Sequence, residues 1–339
     1  MTRFPCAGLI LLLLASVAHT QPHFPGNSEP WPKAEPEALG YSSEQLAAAR
    51  ANMTTDDGAP FEYVHAIVIK DGHDIFHYGD PYVMPKGMRA QKDWASCGRS
   101  FMTTLYGMAM KEEGHGVEFL EQPVRTSYNS TVAWEMDERI LNKHLLSYTA
   151  CSDPPGAEWT YACKYFDMYR ILRDVDGRNP SHRLMRLASM IGARWEPSEY
   201  WGHGHEVPFL SIRASAAEAA RWGYLWLHRG RWNGHQILDE AFVDIALQPV
   251  LGPDGTAAHH SEGYQIHLNT GGMWGEIIPR DAYAAFGAGG KIIFVAPSLD
   301  LVIALDTGPP PYARRDIDGY IVRDIRNLIE PILAARLTE

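Results

Sequence analysis

Trp94-Ala95-Ser96-Cys97-Gly98-Arg99-Ser100-Phe101-Met102-Thr103-Thr104-Leu105-Tyr106-Gly107-Met108-Ala109-Met110 is the stretch on which the reading of this chain turns. Phe101, Leu105, Met108 and Ala109 recur at helical spacing and predict an amphipathic helix that buries one face. Ser96 stands at its start, where backbone N–H groups lack partners within the helix. Two roles fit a hydroxyl at that place. As a cap it accepts a bond from one orphan N–H. As a nucleophile it gains from the same N–H donors and from the positive end of the helix, which favour developing negative charge. Arg99 lies one turn further on the same face and favours the second role.

The flanks fix the surroundings of this helix. Before it, Val64–Ile69 and Ile75–Tyr78 are β-rich runs separated by Lys70-Asp71-Gly72-His73-Asp74, a strong hairpin signal. Tyr41-Ser42-Ser43-Glu44-Gln45-Leu46 opens a helix reaching about Asn52, capped by Ser42 or Ser43. After it, the pattern to about Ala246 is mostly helical. Gly263–Leu268, Lys291–Val295 and Leu299–Leu305 then read as strands, and 317–336 as a terminal amphipathic helix. Strands at both ends with helices between them imply one sheet assembled from distant segments.

Ser-x-x-basic-Ser-Phe followed by an apolar helix resembles the first motif of the serine β-lactamase and penicillin-binding-protein superfamily, closest to its branch of esterases and 6-aminohexanoate-dimer hydrolases. That motif is Ser-x-x-Lys, with Ser as acyl acceptor. The resemblance implies an α+β fold of the β-lactamase type, a mainly antiparallel sheet flanked by helices with an inserted helical subdomain. It extends over about residues 40–308. Ile140–Thr149 resembles the family's I-x-x-x-H-L-L-x-x-T segment, in which His144 is structural. Arg213–Gly223 and Trp232–Leu238 resemble scaffold segments late in the helical region.

Pro154-Pro155-Gly156-Ala157-Glu158-Trp159-Thr160-Tyr161-Ala162-Cys163 resembles the second motif, P-x-G-x-x-(F/W)-x-Tyr-x-Asn. Tyr161 matches the Tyr that lies between nucleophile and leaving group, and Cys163 takes the place of the Asn. Asp281-Ala282-Tyr283-Ala284-Ala285-Phe286-Gly287-Ala288-Gly289-Gly290-Lys291 resembles the D-A-x-x-A-x-G-A-G-G-Q version of the third motif. Classical β-lactamases carry Lys-Thr-Gly or His-Thr-Gly where Ala285-Phe286-Gly287 stands here. With no cation to hold a substrate carboxylate, β-lactams and D-Ala peptides are not the expected substrates. Gly287, Ala288 and Gly289 are expected to line the substrate site, the N–H groups of Ala288 and Ser96 forming an oxyanion hole.

Arg99 in the Lys position changes the chemistry. An Arg with a pKa above about 12 cannot take a proton from Ser96. A fixed cation at hydrogen-bond range of Tyr161 favours its phenolate, so the expected catalytic set is Ser96, Arg99 and Tyr161, with Tyr161 as general base. The expected function is a serine hydrolase cleaving a small ester or amide through an acyl-Ser96 intermediate. The alternative is a non-catalytic homologue whose cleft holds a peptide or cell-wall fragment. A Cys nucleophile at Cys97 or Cys163 is a third, weaker alternative.

The chain has 339 residues, 45% of them hydrophobic, enough for a large core. Its net charge of −11 argues against nucleic acid or an anionic membrane surface as partner. Arg3 followed by the apolar run Ala7–Val17 and the small residues Ser16-Val17-Ala18 reads as a secretory signal over residues 1–18, too short to span a bilayer. The expected product is secreted or periplasmic, with no membrane span. Residues 19–39, punctuated by Pro22, Pro25, Pro30, Pro32 and Pro36, read as a linker. One domain resembling the β-lactamase-related family is expected over 40–338, its sheet parts at about 40–93 and 250–338 and its helical subdomain at about 94–249. Signal removal leaves Cys97, Cys151 and Cys163, and the last two are expected to pair. His203-Gly204-His205 and His259-His260 are read as exposed loop histidines, since no carboxylate or Cys follows at metal-ligand spacing. No metal or cofactor is expected. Asn52-Met53-Thr54 and Asn129-Ser130-Thr131 are glycosylation sequons, relevant in a eukaryotic host. The sequence does not determine the oligomeric state.

Overall fold

The computed structural model describes residues 22–51, 65–84, 93–200, 208–259, 261–307, 322 and 325–337. The signal-like segment, the Asn52 sequon, His203, His205 and His260 lie outside them. Among the described residues no helix is long and apolar enough to cross a membrane.

Six strands form the main sheet: β1 (His65–Lys70), β2 (His73–Tyr78), β3 (His267–Leu268), β4 (Tyr283–Gly287), β5 (Lys291–Ala296) and β6 (Leu301–Asp306). Their spatial order is β2-β1-β6-β5-β4-β3, and every pairing is antiparallel. The early hairpin thus completes its sheet with the last strand, His65 opposite Asp306 and Lys70 opposite Leu301. At the hairpin turn Asp71 and Gly72 both have positive φ, as a two-residue connection needs.

Both faces of this sheet are covered, which explains why its central strands read as continuous apolar runs. Ile67, Ile69, Ile293, Val295, Val302 and Ala304 face the helical half. Ala66, Val68, Ile292, Phe294, Ile303 and Leu305 face the opposite way, onto α1 (Ser43–Ala51) and the C-terminal segment. The α1 cap is Ser42, whose Oγ accepts from Gln45 N at 3.2 Å. The C-terminal segment is not one smooth helix. A π-helical turn over Ile325–Ile329 passes into Glu330–Ala334, with Pro331 in its first turn. Pro lacks the N–H that would continue an α-helical ladder, which accounts for the break.

The helix that opens the argument, α2 (Gly98–Glu112), departs from expectation. From Gly98 to Met110 every residue is buried, so it is a central helix rather than a one-faced one. It lies among α3 (Tyr165–Asp176), α4 (Pro180–Met190) and the short strand Phe209–Arg213. Its interior hydroxyls are satisfied. Thr104 Oγ1 donates to Ser100 O and accepts from the indoles of Trp222 and Trp226 at 2.8 and 3.1 Å, on α5 (Ala216–Leu227). Residues 22–39 are not a free linker. Trp31 is buried and donates its indole N–H to Ala217 O at 2.9 Å, and Phe24 packs edge-on against Tyr224, His228 and Trp232. Apolar bulk among the prolines, not periodicity, ties this segment down.

Candidate active site

Ser96 sits in a single 3-10 turn, Ala95–Cys97, that leads directly into α2. The turn is sharp, with Ala95 at φ +43, a conformation that L residues rarely adopt. Surrounding contacts hold it there. Trp94 donates its backbone N–H to Ile212 O at 2.9 Å and its indole to Ala214 O at 3.0 Å. Ala95 N donates to the Asp93 carboxylate at 3.0 Å, and Ser198 Oγ donates to the same carboxylate at 3.0 Å. Two glycines let backbone press against this turn. A Cβ on Gly98 would lie 1.9 Å from Leu210 O, and one on Gly287 would lie 2.3 Å from Trp94 O. Both are positions where any side chain collides with main chain.

Across the turn stands Tyr161. Its hydroxyl is 2.8 Å from Ser96 Oγ, and its ring is partly open to solvent, 37% exposed. Trp159 and Tyr148 flank it at ring distances of 6.2 and 6.4 Å, and Trp159 leans on His259 at 4.5 Å. His259 is therefore half-buried against an indole, not a free loop histidine.

Arg99 is also at hand, but not in the predicted way. Its guanidinium carbon lies over the Tyr161 ring, 4.8 Å from the centroid, and does not hydrogen-bond the phenolic oxygen. The contact is of cation–π type. The guanidinium is buried, and its hydrogen bonds run inward: Nη2 donates to His267 Nε2 at 2.7 Å and Nη1 to Glu262 Oε1 at 3.4 Å. Burial works against its charge. Glu262 above all, then Tyr161 and Tyr148, outweigh that and push the guanidinium pKa further up. Burial, then Arg99 and His259, push the His267 imidazole well down, so Nε2 remains an acceptor.

Sequence reading missed Glu262 and His267. The alternation Gln265-Ile266-His267-Leu268 inside an expected strand was the available signal, since a polar group on a buried strand face needs a buried partner. Of the third motif, Gly287 closes β4 against the Ser96 turn, Ala288 follows it in an exposed position, and Gly289 is buried with its carbonyl accepting from Thr307 Oγ1 at 3.2 Å. Lys291, where the motif carries Gln, is fully buried and ion-paired to Asp306 directly across the β5–β6 ladder.

Cys163 cannot serve as a polar stand-in for the motif Asn. Its sulfur is bonded to Cys151, which bears out the expected pairing and removes Cys163 as a nucleophile. Cys97 is free but fully buried, and burial pushes its thiol far up from the ordinary range, so it is no nucleophile either. His144 packs as expected: its Nδ1 accepts from Leu141 N at 3.1 Å, and burial pushes its pKa down to about 4.

No family model matches the sequence, and no curated protein matches it significantly. Solved structures do. A penicillin-binding-protein homologue from Caulobacter crescentus superposes with a TM-score of 0.59 at 17% identity, covering 86% of this chain and 99% of that one. A proposed 6-aminohexanoate-dimer hydrolase from Bacillus anthracis gives 0.61 at 16% identity over 93% and 90% of the two chains. A family VIII carboxylesterase gives 0.53 at 13% identity over 86% and 97%. The fold of this chain is the mixed helix-and-antiparallel-sheet fold of the β-lactamases, penicillin-binding proteins and related esterases, as its motifs led us to expect.

Proposed function

We propose that this protein is an exported serine hydrolase that cleaves a small ester or amide through an acyl-Ser96 intermediate. The observation that carries this reading is the 2.8 Å contact between Ser96 Oγ and the Tyr161 hydroxyl at the mouth of α2. In the first half-reaction Ser96 Oγ attacks the substrate carbonyl carbon while its proton passes to the Tyr161 phenolate oxygen. The tetrahedral oxyanion is received by the backbone N–H groups of Ser96 and Ala288. Collapse breaks the bond to the leaving alkoxide or amine, which takes the proton from Tyr161. Water then attacks the acyl-enzyme and gives its proton to Tyr161; collapse breaks the acyl–Ser96 bond, Ser96 Oγ takes that proton back, and the acid leaves. Arg99 takes no proton at any step; it is a permanent cation lying over the Tyr161 ring.

The partly exposed rings of Trp159 and Tyr161 suit a neutral substrate better than an anionic one. Export is supported by the signal-like leader and by a disulfide, which suits an oxidising compartment. A second reading, a non-catalytic binding protein, draws on the inward ion pair of Arg99, which leaves position 99 without proton-transfer capacity.

A fluorophosphonate probe followed by peptide mapping separates the two. Labelling at Ser96 in the wild type and none in Ser96→Ala is the expected outcome. Folded protein that takes no label sinks the hydrolase reading in favour of the binder.

A further inference from the structure

We infer that Glu262 is a positioning residue: with His267 it clamps the Arg99 guanidinium over the Tyr161 ring, so that position 99 acts as a fixed cation and not as a proton acceptor. Glu262 and His267 are bridge partners across one tight turn, in which Gly263 N donates to Ile266 O at 2.9 Å. The same turn is stitched to α2 by the helix itself. Ser100 Oγ donates to Gln265 O at 2.7 Å and Thr103 Oγ1 to Tyr264 O at 3.0 Å. From the other side, Val250 N donates to Glu262 O at 3.1 Å. The helix that carries Arg99, and that follows the Ser96 turn, is thereby held in register with the two groups that receive the guanidinium. Arg99 Nε has no hydrogen-bond partner among the described residues, so Glu262 and His267 are its polar anchors.

The groups facing the guanidinium are Glu262 and His267 from this turn, Tyr148 and Tyr161 from the aromatic loop, and, behind them, Tyr165, Cys97 and His259. A lysine placed at 99 would meet the same buried carboxylate and stay protonated. With Glu262 beside it, position 99 holds a charged group whether Arg or Lys stands there.

The kinetic arm of the test rests on the acyl-Ser96 reading; the spectroscopic arm does not. In the full chain labelled with ¹⁵N-histidine, His267, assigned by its loss in His267→Gln, is expected to stay neutral with Nε2 unprotonated from pH 8 to pH 5. Glu262→Ala is expected to shift that resonance while His267 stays neutral, because losing a carboxylate does not favour the imidazolium. Wild-type His267 titrating near its ordinary value, or a signal indifferent to Glu262→Ala, overturns the clamp. In the kinetic arm, Glu262→Gln keeps an acceptor oxygen but removes the charge opposing the phenolate. The acid limb of Ser96 labelling is expected to move down by about one pH unit or more. A uniform loss without that movement overturns the inference, because a merely structural role gives only that. Arg99→Lys is expected to label no faster than wild type, and Arg99→Lys with Glu262→Gln at least about tenfold faster than Arg99→Lys alone at pH 8. Equal rates for the two overturn it. Wild type that takes no label, with the ¹⁵N result as expected, defeats the hydrolase reading and leaves the clamp standing.

Discussion

Two buried cations flank the Ser96 turn, and they are used differently. Lys291 opens β5, pairs with Gly287 in the sheet, and gives its ammonium to Asp306 on the adjoining strand. Arg99 is the second residue of α2, and its guanidinium spans the space between a buried carboxylate, a buried imidazole and the half-open ring of Tyr161. Lysine is the residue able to give up its proton, yet here it is the one sealed inside the sheet. The cation beside the hydroxyl pair is the one that never gives it up. The contrast separates a charge that holds two strands together from a charge aimed at a reactive group.

The largest expected effect strikes the Arg99 side. Tyr161→Phe removes the hydroxyl that meets Ser96 and leaves the ring under the guanidinium. Ester turnover and Ser96 labelling are expected to fall by about 10²–10⁴-fold, with a thermal midpoint close to wild type because the phenol lies at the surface. Unchanged turnover of p-nitrophenyl esters removes Tyr161 from the mechanism.

The Lys291 side responds in stability instead. Asp306→Asn leaves a buried ammonium uncompensated and is expected to cost about 3–5 kcal/mol in urea unfolding, while labelling of the folded fraction falls by less than about tenfold. A stable Asp306→Asn protein with lost labelling reverses the roles assigned to the two pairs.

Acid sharpens the contrast further. His144 in the native protein has a pKa pushed down to about 4 by burial, against about 6.5 for an unfolded histidine. Between those values the unfolded chain binds a proton that the native chain refuses. Stability is therefore flat above pH 6.5 and falls as pH drops toward 4, by at most about 3 kcal/mol for this residue. His228 behaves alike, burial holding it at about 4, and His267 falls in the same direction. Burial raises Asp74 and Asp300, and these oppose the trend by gaining stability as they protonate. Chemical denaturation from pH 7.5 to 4.5 is expected to show a shallower slope in His144→Gln than in wild type. In His267→Gln the slope also flattens, and labelling changes with it, which His144→Gln does not produce.

The smallest expected effect is on the loop that carries Tyr161. Replacing Cys151 and Cys163 by Ala frees a short loop and is expected to cost about 2–3 kcal/mol. Labelling of the folded protein falls only modestly, because Trp159 packed on His259 still backs the ring.

What was legible in the sequence follows from which interactions are local. The hairpin around Asp71-Gly72, the Ser96-bearing helix and the strands β5 and β6 could be read because turn chemistry and apolar runs lie within a few residues. The expected strand at 263–268 proved to be a tight turn ending in the two-residue strand β3, since buried polar groups, not alternation, fix its path. The all-round burial of α2 was not legible. Thr103, Thr104 and Ser100 look like a polar face until the partners that satisfy them, Tyr264, Trp222, Trp226 and Gln265, are brought in from more than a hundred residues away.

The sequence alone, through motifs that resemble a known superfamily in order and spacing, pointed to the fold and nominated Ser96, Arg99 and Tyr161. Tertiary structure alone decided what Arg99 does. A guanidinium has five donors and a long reach, and its direction is set by whichever buried acceptors lie nearest. Glu262 and His267 are 163 and 168 residues distant along the chain and adjacent only once the sheet closes.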